Sequence, residues 1–459
     1  MMDRNIHMNK IEIRALIALF GIAISLPLLT TFWNGAGGRF NDVEKRKLAE
    51  RPPLYWTREG FNKFSADFTK YFDDNFGGRE KFIKLHSYIQ GAIFGISPAK
   101  NAIIGKQGWL FLGDGNVVAD YRHTHPFTDG ELKLWRDSLV AKRDWLSARG
   151  IKYLFVVAPD KHSIYPEFMP DYLNQVRSDS CLDQLLAYLK ANSNIQILDL
   201  RPALWAEKAS VRLYHKTDTH WNERGAFVAY QQIMQRLSQN FPEMQARTLT
   251  DFQPVEEIAE GQDIANMMDL RSVMHEKVLR LEPKAKPCAR AVNFKLSPDF
   301  KWPAYPPGHE AYARECNKKK IIAVFFQDSF GTALVPYISE HFKRTTFIWD
   351  YPSYAVMNAT VQQEHPDVVI EERVERHLKA MMPDFDIPSG LVGMWTSNSN
   401  KVEIKHLSSS SIYLTNEHGL TTIGLISGSK VDVKGWGVVG DVSTSKNKIA
   451  WSNGTSWTR

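Results

Sequence analysis

Helix and strand patterns alternate through the middle of this 459-residue chain, and the alternation constrains the fold more than any other feature. The predicted helices cover 132–149, 182–192, a stretch after Asn222 and 332–341, and the predicted strands cover 153–158, 195–200, 321–326, 346–349 and 368–370. Apolar strands that alternate with helices are typical of an α/β domain with a parallel sheet. We therefore predict an α/β fold.

The N-terminal segment predicts a membrane anchor. Residues 15–33 carry no charge, and their number approaches what a helix needs to cross a bilayer. Arg4, Lys10 and Arg14 precede this run, which favours a cytoplasmic N-terminus with the rest of the chain outside. A cleaved signal peptide is the alternative, but the run is long and lacks a clear A-x-A site. We expect an uncleaved single-pass anchor, whereas a buried core helix is disfavoured.

Composition changes again near Pro388, where Ser, Thr, Gly and Asn increase and apolar residues alternate with polar ones. This pattern predicts a small β-domain. Four tryptophans in this region either stack on sugar rings or form its core, and we favour the core: Trp395, Trp436, Trp451 and Trp457. The chain thus divides into an N-terminus, anchor and linker at 1–38, an α/β domain at 39–387 and a β-domain at 388–459, a candidate carbohydrate-binding module.

Charge and cysteine content exclude some classes of function. The net charge of +6 is mild and is not concentrated in blocks, so it does not favour nucleic-acid binding. Cys181, Cys288 and Cys316 have no CxxC spacing, so we expect no zinc site, and we predict no cofactor. In an oxidising compartment Cys288 and Cys316 are able to pair, although the sequence leaves the pairing open.

Two short segments carry the candidate chemistry. In HKTDTHWNERG, Asp218 and His220 lie two residues apart, just before a predicted helix. A histidine there suits a general base that a carboxylate orients. In IIAVFFQDSFGTALV, Ser329 follows an apolar strand and precedes a helix, which is a suitable position for a nucleophile. Alternatively, Asp-x-His is a metal or structural pair and Ser329 is a helix cap, but the joint occurrence favours catalysis.

Four further residues are predicted to contact substrate. Lys161 directly follows a strand and would touch the substrate at the same edge of the sheet, unless it is a solvated loop lysine. Tyr351 and Tyr354 follow the strand that ends at Trp349, and Trp221 lies next to the candidate base. We expect these side chains to line the site.

DTHWNERG and QDSF together resemble the SGNH hydrolase-like acetyltransferases of the alginate acetylation system, the AlgJ/AlgX family. Further segments resemble this family in the same order, from about Glu44 to Arg376: VEKRKLAERPPL, FDDNFGGRE, GWLFLGDG, VVAPDKHSIYPEFMP and GQDIANMM. Two features depart from the family pattern. Gln327 replaces the expected glycine, and the C-terminal β-domain does not match the family's carbohydrate-binding module.

The resemblance implies a flavodoxin-like SGNH fold with permuted connectivity and a triad of Asp218, His220 and Ser329. It also implies transfer of acetyl groups, through acetyl-Ser329, to hydroxyls of an exported polysaccharide in the periplasm. A membrane-bound O-acyltransferase would supply the acetyl group, and the chain would sit in the inner membrane. Two alternatives remain open: an esterase that removes acetyl from the same polymer, and a noncatalytic polysaccharide-binding scaffold of a secretion complex.

Overall fold

The structure is a computed structural model that describes residues 10–31, 40–41, 46–53, 56–77, 79–173, 175–176, 179–305, 308–383, 385, 390–391, 393–398, 400–408 and 411–459. Its α-helices are α1 (Lys10–Thr31), α2 (Arg58–Asn75), α3 (Arg79–Tyr88), α4 (Gly115–Tyr121), α5 (Asp129–Ser147), α6 (Lys161–Ile164), α7 (Cys181–Asn192), α8 (Arg201–Lys208), α9 (Glu223–Ser238), α10 (Asp263–Met267), α11 (Ser329–Thr332), α12 (Val335–Ile338), α13 (Tyr354–Glu364) and α14 (His377–Ala380).

Its strands are β1 (Phe40–Asn41), β2 (Arg46–Lys47), β3 (Ala102–Ile104), β4 (Leu110–Leu112), β5 (Lys152–Ala158), β6 (Leu198–Asp199), β7 (Phe252–Glu260), β8 (His275–Pro283), β9 (Arg290–Val292), β10 (Tyr312–Glu315), β11 (Ile322–Gln327), β12 (Arg344–Trp349), β13 (Val368–Val374), β14 (Gly393–Ser397), β15 (Asn400–Ser408), β16 (Ser411–Thr415), β17 (Thr421–Ser427), β18 (Lys430–Val433), β19 (Val438–Val442), β20 (Lys448–Trp451) and β21 (Ser456–Thr458). The predicted domain boundaries, at 38–39 and 387–388, lie outside the described residues.

The predicted anchor falls largely on α1. Within the described ranges, no helix is both long and apolar enough to cross a bilayer, so the predicted transmembrane segment is not confirmed.

A seven-stranded sheet forms the centre of the α/β domain, in the order β6-β5-β13-β11-β12-β10-β9. The first five strands are parallel, which confirms the predicted α/β fold. Beyond this predicted parallel sheet, β10 and β9 extend it as antiparallel strands that were not predicted. Both strands come from the region after 251, where short elements gave little periodic signal.

Two observed elements differ from the predicted ones. The predicted helix 332–341 is instead two short helices, α11 and α12, and a 3-10 turn, with Pro336 at the start of α12, where its ring does not disrupt a helix. The strand predicted at 368–370 continues to Val374 through the charged residues Glu371, Glu372 and Arg373, all fully buried.

Helices cover both faces of the sheet. On one side, called the α9 face, Ile370 and Val374 pack in the same core as Phe227 of α9. On the other, called the α5 face, Val369 packs in one core with Trp145 of α5. Because successive strand residues point to opposite faces, Glu372 lies on the α9 face and Glu371 on the α5 face.

The C-terminal region is a closed barrel of eight strands, β14 to β21. This confirms the predicted all-β domain. Trp395, Trp451 and Trp457 are buried in its core, and Trp436 is partly buried against them. This confirms the core interpretation of the tryptophans and leaves them unsuited to stack on sugars. Separately, Cys288 and Cys316 form a disulfide with a Cα–Cα distance of 5.2 Å, and Cys181 is free and buried.

Candidate active site

A tight loop before α9 carries the predicted acid–base pair. The side chain of Asn222 accepts a hydrogen bond from the Gly225 N–H at 3.0 Å and caps α9. The backbone of Leu213 crosses α9 so closely at Gly225 that an added Cβ atom would lie 2.3 Å from the Leu213 carbonyl oxygen. A glycine is therefore needed for this loop to lie against the helix.

Within this loop, Asp218 and His220 form a directly bonded pair. Asp218 Oδ1 lies 2.7 Å from His220 Nδ1 and also accepts the His220 backbone N–H at 2.8 Å. Burial alone would raise the pKa of Asp218, but the hydrogen bond and charge interaction with His220 outweigh it and lower the pKa to about 2. An ionised Asp218 is an acceptor, so Nδ1 carries the proton and Nε2 is left with its lone pair.

The free nitrogen of His220 points away from Asp218. His220 Nε2 is buried and has no hydrogen-bond partner among the described residues, including Ser329. The imidazole ring packs against Phe330 with a ring-centroid distance of 4.9 Å. Because Phe330 directly follows Ser329, the imidazole ring lies against the turn that bears the predicted nucleophile. His220 Nε2 and Ser329 do not share a hydrogen bond.

Ser329 lies at the carboxyl end of β11, as predicted, and is half-buried. Asp328 caps the turn by accepting the Phe330 N–H at 2.8 Å, and Ser329 is the first residue of α11. The indole N–H of Trp221 donates to the Phe330 carbonyl oxygen at 3.2 Å. Trp221 is 2% exposed, so it holds this turn in place and is too buried to touch a polymer as predicted.

Tyr351 links Asp328 to a histidine that the sequence did not single out. The Tyr351 hydroxyl bonds Asp328 Oδ2 at 2.5 Å and His377 Nδ1 at 2.6 Å. The Tyr351 hydroxyl has one proton and donates it to Asp328, so His377 Nδ1 donates to the Tyr351 oxygen. Burial and the charge of Asp328 raise the pKa of Tyr351, which keeps the phenol protonated. Tyr351 thus lies at the predicted edge of the sheet, within this network.

Lys161 is buried beneath the Asp218–His220 loop. Its ammonium nitrogen donates to the carbonyl oxygens of His215, Lys216 and Asp218, the first two at 3.1 and 3.3 Å. Burial lowers its pKa to about 7, against the opposing charges of Asp218 and Asp263. With 1% exposure, Lys161 holds the loop backbone, and this geometry does not support the predicted substrate contact.

The remaining predicted contact residue, Tyr354, lies on the wrong side of the sheet for such a role. Its ring packs edge-on against Trp145 at 5.6 Å and Phe385 at 5.8 Å, within the α5-face core. The prediction relied on its position after a strand, but Tyr354 begins α13 and turns away from Ser329.

Sequence reasoning also missed Asp263, which flanks the acid–base pair. Its Oδ1 accepts the Thr219 N–H at 2.8 Å, and its Oδ2 lies 3.9 Å from His220 Nδ1. Burial, together with the charge of Asp218, raises the pKa of Asp263. Asp263 lies in GQDIANMM, so the segment was noticed for its resemblance but the residue was not assigned a role.

Asp218, His220 and Asp263 also offer three ligand atoms within 4.8 Å of one another, a grouping that is able to hold a metal ion. Binding an ion through His220 Nδ1 would require breaking its 2.7 Å bond to Asp218. We therefore interpret the group as a base held by two carboxylates. A cavity of about 420 Å³ opens beside Asp218 and Asp263, on the Nδ1 side of the imidazole.

Residues 102–291 match the family model for the SGNH hydrolase-like domain of the acetyltransferase AlgX. The match includes Asp218, His220 and Asp263 and ends before Ser329. A probable alginate O-acetylase AlgJ from Pseudomonas syringae pv. tomato is 26% identical over 201 residues, 41% of this chain and 49% of the relative. The AlgJ of Pseudomonas aeruginosa is 26% identical over 180 residues, 37% of this chain and 41% of the relative.

Among solved structures, the O-acetyltransferase domain of Pseudomonas putida AlgJ overlaps 62% of this chain and 94% of that domain. Its sequence identity with this chain is 17% and the TM-score is 0.36. The predicted resemblance to the AlgJ/AlgX family is confirmed by the family model and the AlgJ relatives. The chain spans about half the length of these relatives or less.

Proposed function

We propose that this protein is an O-acetyltransferase that transfers acetyl to hydroxyls of an exported polysaccharide through an acetyl-Ser329 intermediate. One observation carries the proposal: Asp218 fixes the proton of His220 on Nδ1 and leaves a buried, unbonded Nε2 next to the turn that bears Ser329. A base in this tautomer is able to remove a hydroxyl proton. The AlgX family model and the AlgJ relatives support acetyl as the group transferred.

In the first half-reaction, His220 Nε2 takes the Ser329 hydroxyl proton while Oγ attacks the carbonyl carbon of the acetyl donor. The backbone N–H of Ser329 is a suitable donor to the developing oxyanion. The tetrahedral intermediate then breaks its bond to the leaving group, which receives the proton from His220. The products are acetyl-Ser329 and the deacetylated donor.

In the second half-reaction, a sugar hydroxyl gives its proton to His220 Nε2 and attacks the acetyl-Ser329 carbonyl carbon. Collapse of the intermediate returns the proton from His220 to Ser329 Oγ and releases the O-acetylated polymer. Asp218 stabilises the imidazolium that forms twice in the cycle. An esterase differs only in that water replaces the sugar hydroxyl.

We also propose the cellular context. The uncharged run at 15–33 behind three basic residues supports a single-pass anchor in the inner membrane, with the catalytic domain in the periplasm. The Cys288–Cys316 disulfide supports an oxidising compartment. In this setting the acceptor is a polysaccharide, and a membrane-bound O-acyltransferase supplies the acetyl group.

The proposal is tested with a chromogenic acetyl ester and oligosaccharide acceptors, comparing wild type with Ser329→Ala by mass spectrometry. We expect acetyl on Ser329 and on the acceptor, and loss of on the order of 10⁴ or more in rate in the variant. Ser147→Ala, at the exposed end of α5, is the matched control and should retain full activity.

Each of the other results has a distinct meaning. Release of acetate without acetylated acceptor would replace the transferase with an esterase. Equally negligible activity in wild type and Ser329→Ala, with retained polymer binding, would replace it with a noncatalytic scaffold. Asp218→Asn should lose on the order of 10⁴ in rate while Ser329 stays in place, because His220 then adopts the wrong tautomer.

A further inference from the structure

An exposed row of apolar side chains runs along α3 and the π-helical turn Ile89–Ile93 that continues it. The row, called the α3 stripe, consists of Phe82, Leu85, Ile89 and Ile93, which are 46%, 53%, 37% and 61% exposed. Spacings of three and four residues place them on one side of the helix. Side chains of this size are costly to leave in water over a continuous surface.

The opposite side of the same helix packs against the protein. Ser87 is buried, and a Cβ atom added to Gly91 would lie 2.7 Å from the Leu270 side chain. The α3 stripe therefore points outward because the helix is already fixed by its other side.

The apolar surface continues onto α2. Ring centroids lie 5.6 Å apart for Phe64 and Phe68, 6.5 Å for Phe68 and Phe72, 6.1 Å for Phe72 and Phe76, and 6.2 Å for Phe76 and Phe82. Within this row Phe68 is exposed, and Phe61, two turns before Phe68, is 68% exposed. An apolar surface of this continuity marks a contact with another protein or with a membrane.

Charge favours the membrane. Between residues 79 and 100 the chain carries four basic residues, Arg79, Lys81, Lys84 and Lys100, and a single acidic one, Glu80. Basic residues beside an apolar helical stripe are typical of helices that lie in the headgroup layer of anionic lipids. The helix α2, which carries the aromatic row, follows the apolar helix α1 closely in the chain, since only residues 32–57 separate Thr31 from Arg58.

We propose that the α3 stripe and the aromatic row of α2 lie on an anionic lipid surface, with Lys81 and Lys84 toward the headgroups. This inference rests on the proposed membrane location of α1. In this arrangement the α/β domain contacts the bilayer through this surface in addition to the anchor α1.

The test places a photo-cross-linking residue at single positions in the full chain, reconstituted in vesicles of phosphatidylethanolamine and phosphatidylglycerol. Phe82→benzoylphenylalanine and Ile89→benzoylphenylalanine probe the stripe. Leu19 of α1 and Leu420 of the barrel, 67% and 61% exposed, are probed in the same way as controls. We expect a mass increase of one lipid at positions 19, 82 and 89 and none at 420.

The controls separate the two proposals. A lipid adduct at 19 without one at 82 and 89 would overturn the surface contact and leave the anchor intact. Adducts at 82 and 89 with a second copy of the chain would assign the stripe to self-association instead. No lipid adduct at any position would overturn both. Lys81→Gln with Lys84→Gln should lower the yield at Phe82 by roughly fivefold per lysine, and an unchanged yield would contradict the role of anionic headgroups.

Discussion

Two consecutive glutamates on β13 are equally buried, but their pKa values shift in opposite directions. On the α5 face, Glu371 accepts from Lys142 Nζ at 2.9 and 2.7 Å and from the Tyr153 hydroxyl at 2.7 Å. Burial raises its pKa, but the charges of Lys142 and Arg373 lower it below its usual value. On the α9 face, Glu372 accepts the Asp328 N–H at 3.1 Å, and burial and the Asp328 charge raise its pKa well above the usual value.

The buried lysines of the two faces differ in the same way. Lys142 is bonded to both oxygens of a carboxylate, whereas Lys161 is bonded to backbone carbonyls. The α5 face therefore contains an ion pair in which Lys142 is bonded to both carboxylate oxygens of Glu371. The α9 face, which carries the candidate site, has a glutamate with a raised pKa, a lysine of pKa about 7 and an unbonded His220 Nε2. Buried titratable groups without an ion-pair partner concentrate at functional sites. Here they distinguish the α9 face, which carries the candidate site, from the α5 face.

Breaking the ion pair of the α5 face should have the largest effect on stability. Lys142→Met leaves the buried Glu371 with Arg373, at 3.2 Å, as its remaining cationic partner and should lower the free energy of unfolding by about 3 kcal/mol. Urea denaturation measures this change. Adding Glu371→Gln to Lys142→Met should recover only part of the loss, because the buried Arg373 then loses its carboxylate partner. A loss under about 1 kcal/mol in the single variant would show that the pair does not stabilise this face.

Removing the buried lysine of the α9 face should have a smaller effect that depends on pH. Lys161→Met loses charged hydrogen bonds to the loop, about 1.5–3 kcal/mol. Between pH 7 and about 10 the unfolded lysine is protonated and the folded one is not, so this group makes wild-type stability rise with pH. Below pH 7 both states hold the proton and the effect is constant.

The urea midpoints of wild type and Lys161→Met, measured at pH 7 and pH 9, test whether Lys161 makes wild-type stability rise with pH. The stability difference should increase in favour of wild type by about 1.4 kcal/mol per pH unit. A difference that does not change with pH would show that Lys161 keeps an ordinary pKa despite its burial.

Tyr351→Phe is a local test of the network under Ser329. The variant leaves Asp328 without one of its donors, at a cost of about 1–2 kcal/mol, and should lower kcat on the chromogenic ester more than it changes KM. Tyr354→Phe, three residues on but packed in the α5-face core, is the matched control and should keep wild-type kcat. Equal losses in the two variants would argue against a specific role for Tyr351.

Glu372→Gln should have the smallest effect. Because burial and the Asp328 charge favour the neutral form of Glu372, an isosteric amide should change the free energy of unfolding by less than about 1 kcal/mol. Glu371→Gln removes a charge from Lys142 and should cost several times more. Similar losses for the two adjacent substitutions would contradict the opposite directions of the two pKa shifts.

Local patterns in the sequence were enough to predict the parts of the molecule that depend on near neighbours. The alternation of helix and strand predicted the parallel core of the sheet, although not the antiparallel strands β9 and β10. Asp218 and His220 are two residues apart in one loop, so their contact follows from local geometry. Ser329 was predicted at a strand end because the apolar run stops there and a helix begins.

Only the tertiary structure decided which charged and amphipathic residues are buried. The end of β13 was not predicted because Glu-Glu-Arg resembles a solvated turn, and its burial depends on Lys142, 229 residues away from Glu371. Lys161 was predicted at the surface, yet carbonyls more than 50 residues away bury it. The sequence determines hydrophobic periodicity locally, whereas the cost of burying a charge depends on which partners the fold brings to it.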